Sequence, residues 1–94
     1  MEMNQYRISM LARSKAGHDK NEVFVVTGEQ QNRLLLSDGK GRTLEKPKEK
    51  NRAHVQLITH ISEELAQQMA HIEDNADVRR ILKQYGREKT ETAQ

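Results

Sequence analysis

The chain has no cysteine and no tryptophan, a single proline, and only three aromatic residues among 94. Without cysteine there is no disulfide framework and no thiolate zinc site. No apolar run approaches the roughly 18 residues of a membrane-spanning helix. The opening MEMNQYR lacks the apolar stretch of a secretory signal. A soluble cytoplasmic protein with no membrane partner is expected. Tyr6, Phe24 and Tyr85 are too few for the platform on which single-strand readers stack bases. Hydrophobic residues make up 34% of the chain and charged residues 32%. That balance and length suit one small domain with a compact core.

Charge is present but unevenly placed. Up to Ile58 there are eleven basic and seven acidic residues; from Thr59 onward there are five and seven. A polyanion is therefore expected to meet the first part. The stretch RSKAGHDKNEVFVV, Arg13–Val26, joins a polar, basic loop to an apolar β-type run. Gly17 takes positive φ without a Cβ penalty, and Asp19 and Asn21 tolerate turn geometry. Strands on both sides would hold Lys15, His18 and Lys20 at a loop tip.

Alternation predicts a strand over Arg7–Ala12, after a frayed Met1–Gln5, and a second over Val23–Thr27. Gly28–Asn32 reads as a turn, and RLLLS, Arg33–Ser37, as a third strand with Leu34 and Leu36 facing opposite to Leu35. Asp38-Gly39 signals a two-residue type I′ hairpin leading into a short fourth strand, Thr43–Glu45, which Pro47 would end. Ala53–Leu57 is expected to be the fifth strand. Five short strands bury themselves best by curling into a small barrel. Its interior would hold Ile8, Met10, Val23, Val25, Leu34, Leu36, Leu44, Val55 and Leu57. Periodicity alone leaves open whether Val23/Val25 or Phe24/Val26 point inward. At Ser62 the period changes. Ser62 suits an N-cap, and Leu65, Met69 and Ile72 recur at helical spacing. Asp74 or Asn75 would cap a second helix carrying Val78, Ile81, Leu82 and Tyr85, with Gly86 as its stop. The expected division is a barrel over residues 1–58, a helical extension over 59–86 and a disordered tail over 87–94.

The segments SKAGHDKNEVFVV and LLLSDGKGRTLEKPKEKNRAHVQLI together resemble the KOW motif, two apolar strands around a glycine loop. The likeness covers Ile8 to Ile58. It is similar to small bacterial KOW-domain RNA-binding proteins, which are related to KOW-containing large-subunit ribosomal proteins of archaea and eukaryotes. Where the family's loop commonly has a second glycine, this chain has Asn21, which tolerates the same backbone region. The resemblance implies an SH3-like barrel, followed here by two short C-terminal helices. It also implies an RNA partner, ribosomal RNA, and a ribosome-associated or translation-related role.

The RNA-binding residues expected are Arg13, Lys15, Gly17, His18, Lys20, Lys40, Arg42, Lys46, Lys48, Lys50 and Arg52. Gly17, having no side chain, would let the RNA backbone come close. Extended chain around Pro47 would set Lys46, Lys48 and Lys50 on one edge, about 6–7 Å apart. No metal or other cofactor is expected. The four histidines have no metal-ligand spacing, DGKGR is not a phosphate loop, and no nucleophile stands beside a base. An enzyme is not expected. A different reading is a protein-interaction module, a transcription or translation adaptor, acting through the helices. Leu65, Met69, Val78, Ile81 and Leu82 would then bind a protein partner or a second copy.

Overall fold

A computed structural model describes residues 10–92 of the chain. The strands β1 (Leu11–Ser14), β2 (Val23–Gln30), β3 (Arg33–Ser37), β4 (Lys48–Asn51) and β5 (Val55–Ile58) form one antiparallel sheet in the order β4-β3-β2-β1-β5. A 3-10 turn, Arg52–His54, joins β4 to β5. The helices α1 (Glu63–Met69) and α2 (Asn75–Thr92) follow.

Several strand boundaries differ from expectation. β1 lies further along than Arg7–Ala12, and the part of that prediction before Met10, with Ile8 and the frayed Met1–Gln5, falls outside the described residues. β2 continues through Gly28, with a register shift between Val26 and Gly28. The turn falls instead at Gln31, whose φ is +54°, and Asn32. Thr43–Glu45 is not a strand. The fourth strand begins after Pro47 and pairs Lys48 with Leu36 and Lys50 with Leu34. Proline flanks this edge strand at its start, where its missing N–H does no harm. The fifth strand also starts later than Ala53.

The sheet has two buried faces. On one, Leu11 and Val25 pack with Leu44, Leu65, Met69, Ile72, Val78 and Ile81. On the other, Ala12, Phe24, Leu34, Leu36 and Val55 bury one another. The choice between Val23/Val25 and Phe24/Val26 is thus resolved by both sets being used, one on each face. Leu34 and Leu36 do share a face. No helix contributes to the second cluster, so the sheet must curve around it. Among the described residues no ladder joins β4 to β5, so hydrogen bonding does not close the sheet.

Helix starts follow local chemistry. The Ser62 side chain accepts from Leu65 N, and Asp74 accepts from Asp77 N. Gly86 does not stop α2, which continues to Thr92 where a disordered tail was expected. Residues 93 and 94 lie outside the described residues. The helices are not a separate extension, because Leu65, Met69, Val78 and Ile81 share a core with β1 and β2. Those four side chains are fully buried, so they are not a surface for a second protein. No helix among the described residues is long and apolar enough to cross a membrane.

Candidate nucleic-acid interface

The glycine loop is closed by its own backbone. Ser14 N donates to Glu22 O, Asn21 N to Ser14 O, Lys20 N to Gly17 O and Glu22 N to Asp19 O. Gly17 at φ +90° and Asn21 at φ +76° supply the left-handed positions that such a loop needs. Lys15, His18 and Lys20 stand exposed on this frame.

Asp19 turns inward. It accepts from Ser14 Oγ at 2.7 Å, from Lys48 Nζ at 2.6 Å and from Lys50 Nζ at 3.0 Å. Lys50 Nζ also donates to Ala16 O at 2.9 Å. The two lysines lie on the face of β4 shared by Leu34 and Leu36. Their aliphatic stems run over that apolar surface, and their charged ends reach the loop. Burial alone would push the Asp19 carboxyl up. Hydrogen bonds from Lys48, Ser14 and Lys50, with the Lys48 charge, outweigh burial and hold it well below the usual carboxylate range. The loop and β4 are therefore one fixed object. Its price is that two of the expected RNA-binding cations already share a carboxylate.

Gly17 fills the turn role expected of it, at φ +90°. A Cβ there would approach Lys50 Nζ at 3.4 Å and Asp19 Oδ1 at 3.7 Å. The side of this glycine where a Cβ would stand faces the ion-pair network, and the residue itself is exposed. Its positive φ is what selects glycine.

A second loop leaves the same end of the sheet, since Ser37 pairs with Val25 and Val23 with Arg13. It is not a two-residue hairpin. Asp38 N and Gly39 N both donate to Arg42 O, and Asp38 Oδ1 accepts from Lys40 N and Arg42 N. The knot so formed leaves Lys40 and Arg42 exposed. It is tied to α2 by Arg79 Nη1 donating to Gly39 O at 2.6 Å and by Asn75 Oδ1 accepting from Leu44 N at 2.8 Å. Leu44, expected inside a barrel, instead plugs the core beneath the helices.

The eleven candidate residues therefore divide. Lys15, Gly17, His18, Lys20, Lys48 and Lys50 gather at the glycine loop, with Lys40, Arg42 and Lys46 on the neighbouring loop. Lys46 is not on the β4 ribbon; its N–H bonds Thr43 O in a bend, so the expected row of three lysines has two members. Arg13 lies on the helix-side face of β1 by alternation with Leu11 and braces the loop through Asn21 O at 3.2 Å. Arg52 opens the 3-10 turn, pairs with Glu29 on the surface and bonds Asn32 O through its N–H, and two residues on His54 O accepts from Lys15 N of the glycine loop. Sequence reasoning missed Asp19 as the keystone and Arg79 as the clasp. Each acts on partners 29 to 40 positions away, and no local spacing signals such a pairing.

The chain matches no protein-family model, and no curated protein matches it significantly.

Proposed function

We propose that this protein binds structured RNA through the glycine loop and the neighbouring basic loop. Its target would be ribosomal RNA, in a cytoplasmic, ribosome-associated or translation-related role. The ribosomal part rests on the KOW resemblance. The carrying observation is the double anchorage of Lys50 Nζ on Ala16 O and Asp19, which makes loop and strand one rigid platform. Lys15, His18 and Lys20 project from that platform, with Lys40, Arg42 and Lys46 leaving the same end of the sheet. Rigid cations set beside one another suit a sugar–phosphate backbone, because little side-chain and loop freedom is lost on binding. Phe24 is buried and Tyr85 packs against the helix core. Three aromatics, one of them buried and one packed on the core, are too few for a stacking platform, which favours contacts to phosphates and 2′-hydroxyls read by shape.

An SH3-like barrel of the KOW type is the finer reading of the sheet. Its support is the pairing of the first strand with the last, the meander β1 to β4 and the 3-10 turn between β4 and β5. Side chains of the second core would complete the closure that hydrogen bonds leave open.

Binding to a fragment of large-subunit ribosomal RNA, followed by fluorescence anisotropy at several salt concentrations, tests the function. The wild-type affinity should fall steeply with salt, with a slope set by the number of phosphates neutralised. Lys15→Ala combined with Lys20→Ala should weaken binding about tenfold and reduce the slope by about two. Circular dichroism should be unchanged, since among the described residues neither side chain makes an ion pair. Affinity indifferent to salt would refute the proposal.

A further inference from the structure

The C-terminal part carries more acids than bases in sequence, yet α2 sorts them by face. At 100° per residue, Arg79, Lys83, Arg87 and Arg80 fall within one arc of about 100°. No acidic residue of α2 whose side chain is described lies inside it. Ala76 lies within the same arc. Val78, Ile81 and Tyr85, which pack on the core, lie on the opposite side. Glu88 is turned toward α1, where it accepts from Ser62 Oγ and Gln84 Nε2, and Asp77 caps the helix start. All four cations are exposed, and Arg80 alone of them pairs with a carboxylate, that of Asp77 at 2.7 Å, among the described residues.

This face is continuous with the loop surface. Arg79 Nη1 is bonded to Gly39 O, one residue from exposed Lys40, and among the described residues the other N–H donors of its guanidinium meet no acceptor. From Arg79, Lys83 and Arg87 follow at steps of about 6 Å along the axis. That is comparable with the separation of neighbouring phosphates on an RNA strand. We propose that the outer face of α2, centred on Arg79, Lys83 and Arg87, is a second phosphate-binding track that grips the same RNA as the loops. The proposal rests on the RNA-binding reading above.

The chemistry of the face favours this occupant over others. A protein interface is anchored by buried aromatic and apolar side chains, and among the described side chains this arc has only Ala76 between its cations. A membrane-surface helix inserts its apolar side, and here that side is buried against the sheet. What remains is an exposed strip of one charge with arginine forks, which match phosphate geometry.

The test uses the full chain and an RNA duplex of about 16 base pairs, the span read by shape-recognising modules. Lys83→Ala with Arg87→Ala should weaken binding about tenfold and lower the salt slope by about two, with the fold intact. If that variant binds like wild type while Lys15→Ala/Lys20→Ala is weakened, the helix track is refuted and the loop reading stands. If the wild-type chain does not bind RNA, both fall. If RNA binding is unchanged but binding to polyglutamate is lost, the face serves an acidic protein and the proposal is overturned.

Discussion

Gly39→Ala is expected to lower the thermal midpoint by roughly 10–20 °C, from a loss of about 2–4 kcal/mol. Gly39 has φ +75°, where any other residue is strained. The larger effect is steric. A Cβ would lie 2.6 Å from Asn75 O, 3.0 Å from Arg79 Cγ and 3.2 Å from Val78 Cβ. The first is backbone at the start of α2, so relief requires the loop and the helix to separate. Separation breaks the Arg79–Gly39 and Leu44–Asn75 hydrogen bonds and loosens Leu44 from the core. Two controls isolate this cause. Gly41→Ala has nothing within 4 Å of the new methyl and should be close to neutral. Gly86→Ala, in open space within α2, should stabilise by about 0.5–1 kcal/mol through helix propensity. A Gly39→Ala midpoint matching that of Gly41→Ala would show that loop and helix are not clasped.

Asp19→Asn is expected to cost about 2–3 kcal/mol near neutral pH, read from urea unfolding. The amide keeps an acceptor for Ser14 but removes the charge that Lys48 and Lys50 share. Side-chain exposure is 10% for Lys50 and 25% for Lys48. Lys50 therefore loses most, while Lys48 recovers some hydration. The cost should depend on pH with a definite sign. The folded carboxyl titrates below its ordinary value of 3.8, so its contribution is complete above that value. It is lost as pH falls from there toward the folded value. Wild type and variant should differ fully at about pH 7 and converge progressively below about pH 4. A gap that stays constant into acid would mean that the charge on Asp19 is not what joins the loop to β4.

Local pattern told a good deal about this chain. Alternation identified the strand character of Val23–Val26 and Arg33–Ser37, and the 3.6-residue period identified both helices. Ser62 was legible as a cap, because a hydroxyl placed before an apolar period has one obvious set of amides to meet. Gly17, Asn21 and Gly39 were legible as turn positions, because the left-handed region admits few residue types. Each of these inferences concerns neighbours within a few residues.

Tertiary structure decided what those elements do to one another. Pro47 looked like the end of a strand and became the approach to one, because β4 found Leu34 and Leu36 as its partners. Gly86 looked like a helix stop, yet α2 continues past it, and Glu88 beyond it accepts from Ser62 Oγ ahead of α1. Lys46, Lys48 and Lys50 looked equivalent in an extended chain; folding sends two of them to Asp19 and leaves Lys46 in a bend. The basic side of α2 was hidden beneath an acidic residue count until the helix placed its charges on separate faces. Sequence by itself determined the strand character of Val23–Val26 and Arg33–Ser37, the two helical periods and the Ser62 cap, since sterics and periodicity act along the chain. Only the fold decided which charges are neutralised and which are displayed, since that depends on contacts between residues far apart, whose energies leave no trace in spacing.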